Sequence, residues 1–351
     1  MEAQLKMQED LFDESSIDWR KIAEPQIDQY DTLIALEFAK QSGYIREGIG
    51  SDPTFFDGQV AIREDPSTLH FPDCIPADPS HSNVKKGPDL LHLWQPVFKQ
   101  FQLLIESVAI VDYTPHPTDL IVGSICGSGN KGFGTIAATI NNHVGFAGAL
   151  VHEMAHHKLR ALGVQFEGAE RIVLNPPDQK FHSPIRFDCL RPMTAVLHAQ
   201  YSYTYVSALD IKIINAAIDY ERDYSIAECS LAHNLPKLEF GLRIIQDNAI
   251  LDAAGNNFIE GLIDWSKQIF RDAYVIFEKF QINPKEFIHP LTIAGLFHSP
   301  KSFSMNDFWD SWTKLRIKEI NPKSRFPLIR LTSNLEKQAE EEAHKLCTEG
   351  V

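Results

Sequence analysis

Five consecutive residues, His152-Glu153-Met154-Ala155-His156, constrain this chain more than any other stretch. They lie in a run from Phe146 to Leu159 that reads as helix and is too apolar to lie exposed. Two His at i and i+4 stand about 6 Å apart on one helical face, so both imidazoles can grip one metal ion. Glu153 projects about 100° away, where its carboxylate can reach a metal-bound water or steady a ligand. The helix must therefore be buried and still leave room for an ion beside it.

The rest of the chain frames that helix. Thr32 to Glu47 has helical spacing, and the stretch from Gly48 to Gly87, rich in Pro, Asp, Ser and Gly, reads as a long irregular connection. Pro88-Asp89 would open a helix running to about Leu104. Three short β-like runs follow, Ile105 to Tyr113, Leu120 to Cys126 and Thr135 to Asn141, separated by turn signals that predict an antiparallel meander. The metal-motif helix should span about Val144 to Leu162, with Gly163 as its stop. A polar, Pro-containing loop covers Glu167 to Asp188. From Pro192 the chain looks helical almost to its end, with breaks near Pro236, Gly255, Pro284, Pro290 and Pro322.

The expected fold is α+β: a helix-dominated single catalytic domain over residues 21–346 with a small antiparallel sheet beside the HExxH helix. Its metal core would occupy about 134–210, and residues 1–20 form an acidic arm.

Composition narrows the partners. A net charge of −14 argues against nucleic acid or an anionic membrane surface. Five scattered Cys, never in a CxxC pair, fit a reducing compartment. With no signal peptide at Met1 and no long apolar span, the expectation is a cytoplasmic protein. Oligomeric state is left open, and a C-terminal helix from Leu335 to Leu346 reads as a solvated amphipathic face.

The third metal ligand decides the chemistry. Leu159 and Leu162 stand where a metzincin needs its Gly and His, and the region around Asn175-Pro176-Pro177 offers only Asp178 as an acid, so ordinary zinc-peptidase patterns fit badly. His198 is the candidate. Arg191, Thr194, His198, Tyr201, Ser202 and Tyr205 fall on one side at spacings of three, four and seven, a polar stripe that implies a wet or metal-lined cavity. His157 projects about 100° from His156 and reads as a packing or supporting residue. Gly127, Gly129 and Gly132 match GxGxxG, but a strand follows where a dinucleotide fold needs a helix, so this is a glycine hairpin beside the site.

Two blocks carry a resemblance: His152-Glu-Met-Ala-His156-His157-Lys-Leu, and Ser183-Pro-Ile-Arg186-Phe-Asp188-Cys-Leu-Arg191-Pro192-Met-Thr-Ala-Val-Leu197-His198-Ala-Gln-Tyr. Over residues 140 to 210 the chain resembles the HExxH-motif peptide-modification proteins, an iron(II)/2-oxoglutarate-dependent peptide β-hydroxylase family. It departs at Ile185, where an aromatic is expected, and at Cys189-Leu190. The resemblance implies an oxygenase that tailors a ribosomally made precursor peptide. His152, His156 and His198 would hold iron(II), and open positions would take 2-oxoglutarate and dioxygen. Arg191, seven residues before His198, would pair with the far carboxylate of 2-oxoglutarate, with Arg186 as second choice. Tyr201 and Ser202 would hydrogen-bond the cosubstrate, and Glu153 would orient a ligand or water. The alternative is a zinc peptidase with Glu153 as general base; a metal that merely staples a binding module ranks last.

Overall fold

Helically spaced apolar residues and short β-branched runs sort into separate layers in the computed structural model, which describes residues 14–44, 53–56, 58–63, 74–113, 126–127, 133–140, 142–183, 190–216 and 221–280. Arg186, Gly129 and Gly132, the expected C-terminal helix and the breaks at Pro284, Pro290 and Pro322 lie outside these residues. So do residues 1–13 of the expected arm.

The helices are α1 (Trp19–Ile22), α2 (Tyr30–Gln41), α3 (Ser82–Leu90), α4 (Gln95–Leu104), α5 (His143–Ala161), α6 (Met193–Ala216), α7 (Glu221–Asn248) and α8 (Ala253–Phe280). Strands β1 (Thr54–Phe55), β2 (Val60–Arg63), β3 (Cys74–Pro76), β4 (Ser107–Tyr113), β5 (Cys126–Gly127) and β6 (Thr135–Thr139) form one sheet. Two antiparallel pairs, β7 (Val164–Gln165) with β8 (Gly168–Ala169) and β9 (Lys180–His182) with β10 (Leu190–Pro192), place β8 and β9 in the stretch expected to be loop. The class is α+β and helix-dominated, as the periodicity predicts.

The sheet is not an antiparallel meander. Its order is β1-β2-β4-β6-β5, with β2 parallel to β4 and β4 parallel to β6. The β5–β6 pair is antiparallel, as a hairpin should be, but β6 inserts between β5 and β4. The reason lies in burial. Every residue of β6 is buried, and a strand covered on both faces suits a central parallel position better than the edge of a meander. Val108, Ile110, Ile136 and Ala138 face the main core, while Ala109, Val111 and Ala137 form a small cluster on the other face.

Helix α5 is the centre of the molecule. It packs against α6, α3, α2, α4 and β6, and most of its residues are buried, Glu153, His156, His157 and Lys158 among them, so its polar side chains need partners inside the protein. Asn142 caps it, its side-chain oxygen accepting from the Gly145 amide at 2.5 Å. Gly163 ends it at φ +86°, the left-handed conformation that glycine adopts freely.

Two expected boundaries differ, and a third falls where it was expected. The helix expected to open at Pro88 opens at Ser82 behind His81, whose Nδ1 accepts from the Asn83 amide; Pro88 sits near its end, and a 3₁₀ turn at Leu91–Leu93 separates α3 from α4. Helix α7 runs through position 236 without ending. Burial of Leu231, Ala232, Leu235, Leu238 and Ile245 offsets the roughly 3 kcal/mol cost of an interior Pro. Gly255 lies inside the first turn of α8, where a Cβ would stand 2.1 Å from the Ile172 carbonyl oxygen. The break expected near Gly255 falls just before it, at 249–252 between α7 and α8, and the glycine itself permits close approach. Among the described residues no helix is long and apolar enough to cross a membrane.

Candidate metal centre

Helix α5 presents three different chemistries around its circumference because its polar residues, 152 to 160, wind through two turns. His152, His156 and Arg160 follow one another at i+4 steps. The Nε2 atoms of His152 and His156 lie 3.0 Å apart, and the rings meet edge to face at 86°. Glu153 is 3% exposed, and its Oε1 lies 3.8 Å from His152 Nε2. One donor atom from each of His152, Glu153 and His156 falls within 4.8 Å of the others. Ligands at about 2.1 Å on adjacent octahedral positions stand about 3.0 Å apart, so the imidazole spacing suits one shared ion.

His198 reaches this pair from α6, but by a different contact. Its Nδ1 lies 3.1 Å from His156 Nδ1, the ring nitrogen opposite the one that faces His152. Its Nε2 lies 2.9 Å from the Val164 carbonyl oxygen. The three imidazoles thus form a chain, with His156 in the middle. Phe166, on the β7–β8 turn, stacks on His198 at 4.2 Å between centroids. Thr194 holds that turn by donating to the Phe166 carbonyl at 2.8 Å.

Burial keeps the rings neutral. It lowers the pKa of His152 to about 4 and of His198 to about 3. His156 falls well below its ordinary value, first through burial and then through its neighbours His152 and His198. Neutral imidazole is the form that binds metal. The donor set, two neutral imidazoles and a buried carboxylate, fits a divalent transition metal.

Around the pair stand residues that motif spacing passed over. Tyr203 packs edge-on against His152 at 5.0 Å, and the Lys237 ammonium lies 5.6 Å from the Tyr203 ring centre. Burial lowers the Lys237 pKa to about 7. The Arg160 guanidinium sits 5.1 Å from the Phe166 ring centre. It is partly buried, which lowers its pKa, while Glu153 pulls it back up. Its placement one turn beyond His156 was readable from the sequence; Tyr203, Phe166 and Lys237 carry no motif that points to them.

The other expected site residues stand elsewhere. Arg191 lies on β10, paired with Phe181, and not on the His198 helix. Tyr201 is fully buried with its hydroxyl 3.4 Å from Tyr205, in a cluster with Lys158. Ser202 donates back to the Ala199 carbonyl within its own helix at 3.2 Å. His157 ties α5 to the sheet: its Nδ1 accepts from the Gly134 amide at 3.1 Å, and its Nε2 donates to the Thr135 carbonyl at 3.2 Å. That is a packing role. No model of a known protein family matches this chain, and neither does any curated protein.

Proposed function

We propose that this chain is an iron(II)/2-oxoglutarate-dependent oxygenase that hydroxylates a side-chain β-carbon of a ribosomally made peptide in the cytoplasm. One observation carries the reading: two imidazoles and one carboxylate, with donor atoms within 4.8 Å of one another, on a single buried helix. Two His and one carboxylate make up the set that non-haem iron(II) oxygenases use, with positions left open for cosubstrate and oxygen. The sequence resemblance supports the same chemistry.

Each residue then has a task. His152 and His156 hold the ion, and Glu153 completes the set. Bound iron(II) and 2-oxoglutarate would supply the oxidising chemistry. Arg160, on the same stripe of α5, has its charge beside Glu153, His156 and His198; a planar guanidinium there suits the far carboxylate of 2-oxoglutarate. It takes the place that spacing alone assigned to Arg191 or Arg186. Phe166 and Tyr203 flank the imidazoles with apolar ring surface and exclude water from that side.

The test is direct. Protein loaded anaerobically with iron(II), then given 2-oxoglutarate, oxygen and the peptide, should yield succinate and a product about 16 mass units heavier. A second reading rests on Glu153, whose carboxylate next to His152 is also where a zinc peptidase keeps its general base. Peptide cleavage by zinc-loaded protein without succinate would select it.

A further inference from the structure

We propose that His198 is a positioning residue: it fixes the His156 ring by hydrogen bonding and leaves the metal to His152 and His156. The argument is one of donors and acceptors. The Val164 carbonyl can only accept, so His198 Nε2, 2.9 Å away, carries a proton and donates it. A neutral imidazole has one N–H, so His198 Nδ1 is left with a lone pair. That lone pair faces His156 Nδ1 at 3.1 Å, which must then be the N–H of His156. The lone pair of His156 is thereby forced onto Nε2, the atom 3.0 Å from His152 Nε2.

One carbonyl thus sets the tautomer of two rings in sequence and aims a lone pair into the site. Metal-binding His usually donates its other N–H to a carbonyl, a carboxylate or a water; here the acceptor is a second imidazole. His198 is held for the task. It is fully buried, Phe166 stacks on it, and both ring nitrogens are already engaged. Ligation by His198 would require one of those hydrogen bonds to break.

Glutamine separates the two roles. Its Oε1 can accept from His156 Nδ1–H while its Nε2 donates to the Val164 carbonyl, yet it brings no imidazole. Cobalt(II) or zinc binding to the whole protein should survive His198→Gln within about threefold, whereas His198→Leu should weaken it about 10- to 100-fold. X-ray absorption of the cobalt protein should count two imidazoles in both wild type and His198→Gln. Three imidazoles in wild type falling to two, with the Gln variant as weak as the Leu variant, would overturn the proposal. So would wild-type protein that takes up no metal. If His198→Leu does not fold, the imidazole count in the other two proteins decides. The inference rests only on a metal at His152 and His156. A protein that binds cobalt through two imidazoles but forms no succinate would sink the oxygenase and leave this intact.

Discussion

The two sides of helix α5 solve opposite problems. On one side, Lys158 meets Asp31 at 2.5 Å with both side chains fully buried. Every strong group there has a partner. Lys158 also donates to Tyr205 at 3.2 Å, Tyr205 to Gln100 at 2.8 Å, Gln100 to Asp31 at 2.6 Å, and the Gln26 amide to Asp31 at 2.9 Å. Burial pulls the Lys158 pKa down, but Asp31 and Tyr201 outweigh it and hold the ammonium above its ordinary value. On the other side, burial pushes the imidazoles to neutrality, and the Nε2 atoms of His152 and His156 face one another at 3.0 Å. A closed network of charges pins three other elements to the helix; a set of neutral donors converging on one point has a use only when an ion arrives.

That contrast can be broken most sharply by removing a donor. His156→Ala should weaken zinc or cobalt binding by at least about a thousandfold, since it deletes a ligand and the end of the imidazole chain. Unfolding of the metal-free protein should change far less. A chelator-competition titration beside a urea melt would read both, and near-wild-type metal affinity would remove His156 from the centre.

The converse substitution should do the reverse. Lys158→Met leaves Asp31 buried without its cation, at a cost of about 3–5 kcal/mol. Urea unfolding should show that loss while the folded fraction binds metal as wild type does. Equal damage to stability and metal binding would mean that the two sides are not separate.

Acid offers a milder way to sharpen the same distinction. The unfolded chain binds protons at its imidazoles below about pH 6.5, while the folded protein holds His157 and His198 neutral down to about pH 3. Stability is therefore fully present above about pH 6.5 and is lost as pH falls below it. At pH 5 each of these two rings should cost about 2 kcal/mol. His157→Gln should flatten the pH dependence of unfolding between about pH 4 and 6.5; a profile as steep as wild type would show that His157 is not held neutral.

How far the sequence reveals this depends on how local the determinants are. Helix α5 was legible to within a residue or so at each end, because the HExxH spacing lies inside it and Gly163 follows directly after its last turn. The Lys158–Asp31 pair was not, since its partners are 127 positions apart and neither carries a motif. His198 was read from the sequence as a third ligand; which nitrogen it turns to His156 depends on the Val164 carbonyl, which no motif signals. The parallel β4–β6 pairing escaped for a related reason: turn signals reveal that the chain reverses, not which strand it then lies beside.

Arg160 supplies the smallest expected effect and the finest division between the two sides of the helix. It stands two residues after Lys158, and both are basic. Lys158 is committed to Asp31, whereas the Arg160 guanidinium lies against the Phe166 ring and near the charge of Glu153. If it pairs with the far carboxylate of 2-oxoglutarate, Arg160→Ala removes binding energy that the cosubstrate uses equally in ground and transition states. The KM for 2-oxoglutarate should then rise about tenfold, roughly 1.4 kcal/mol, with kcat little changed. Arg160→Lys should recover part of that loss, because a point charge replaces a fork. Metal affinity and urea stability should stay near wild type in both variants. An unchanged KM would return the carboxylate to Arg191, on β10.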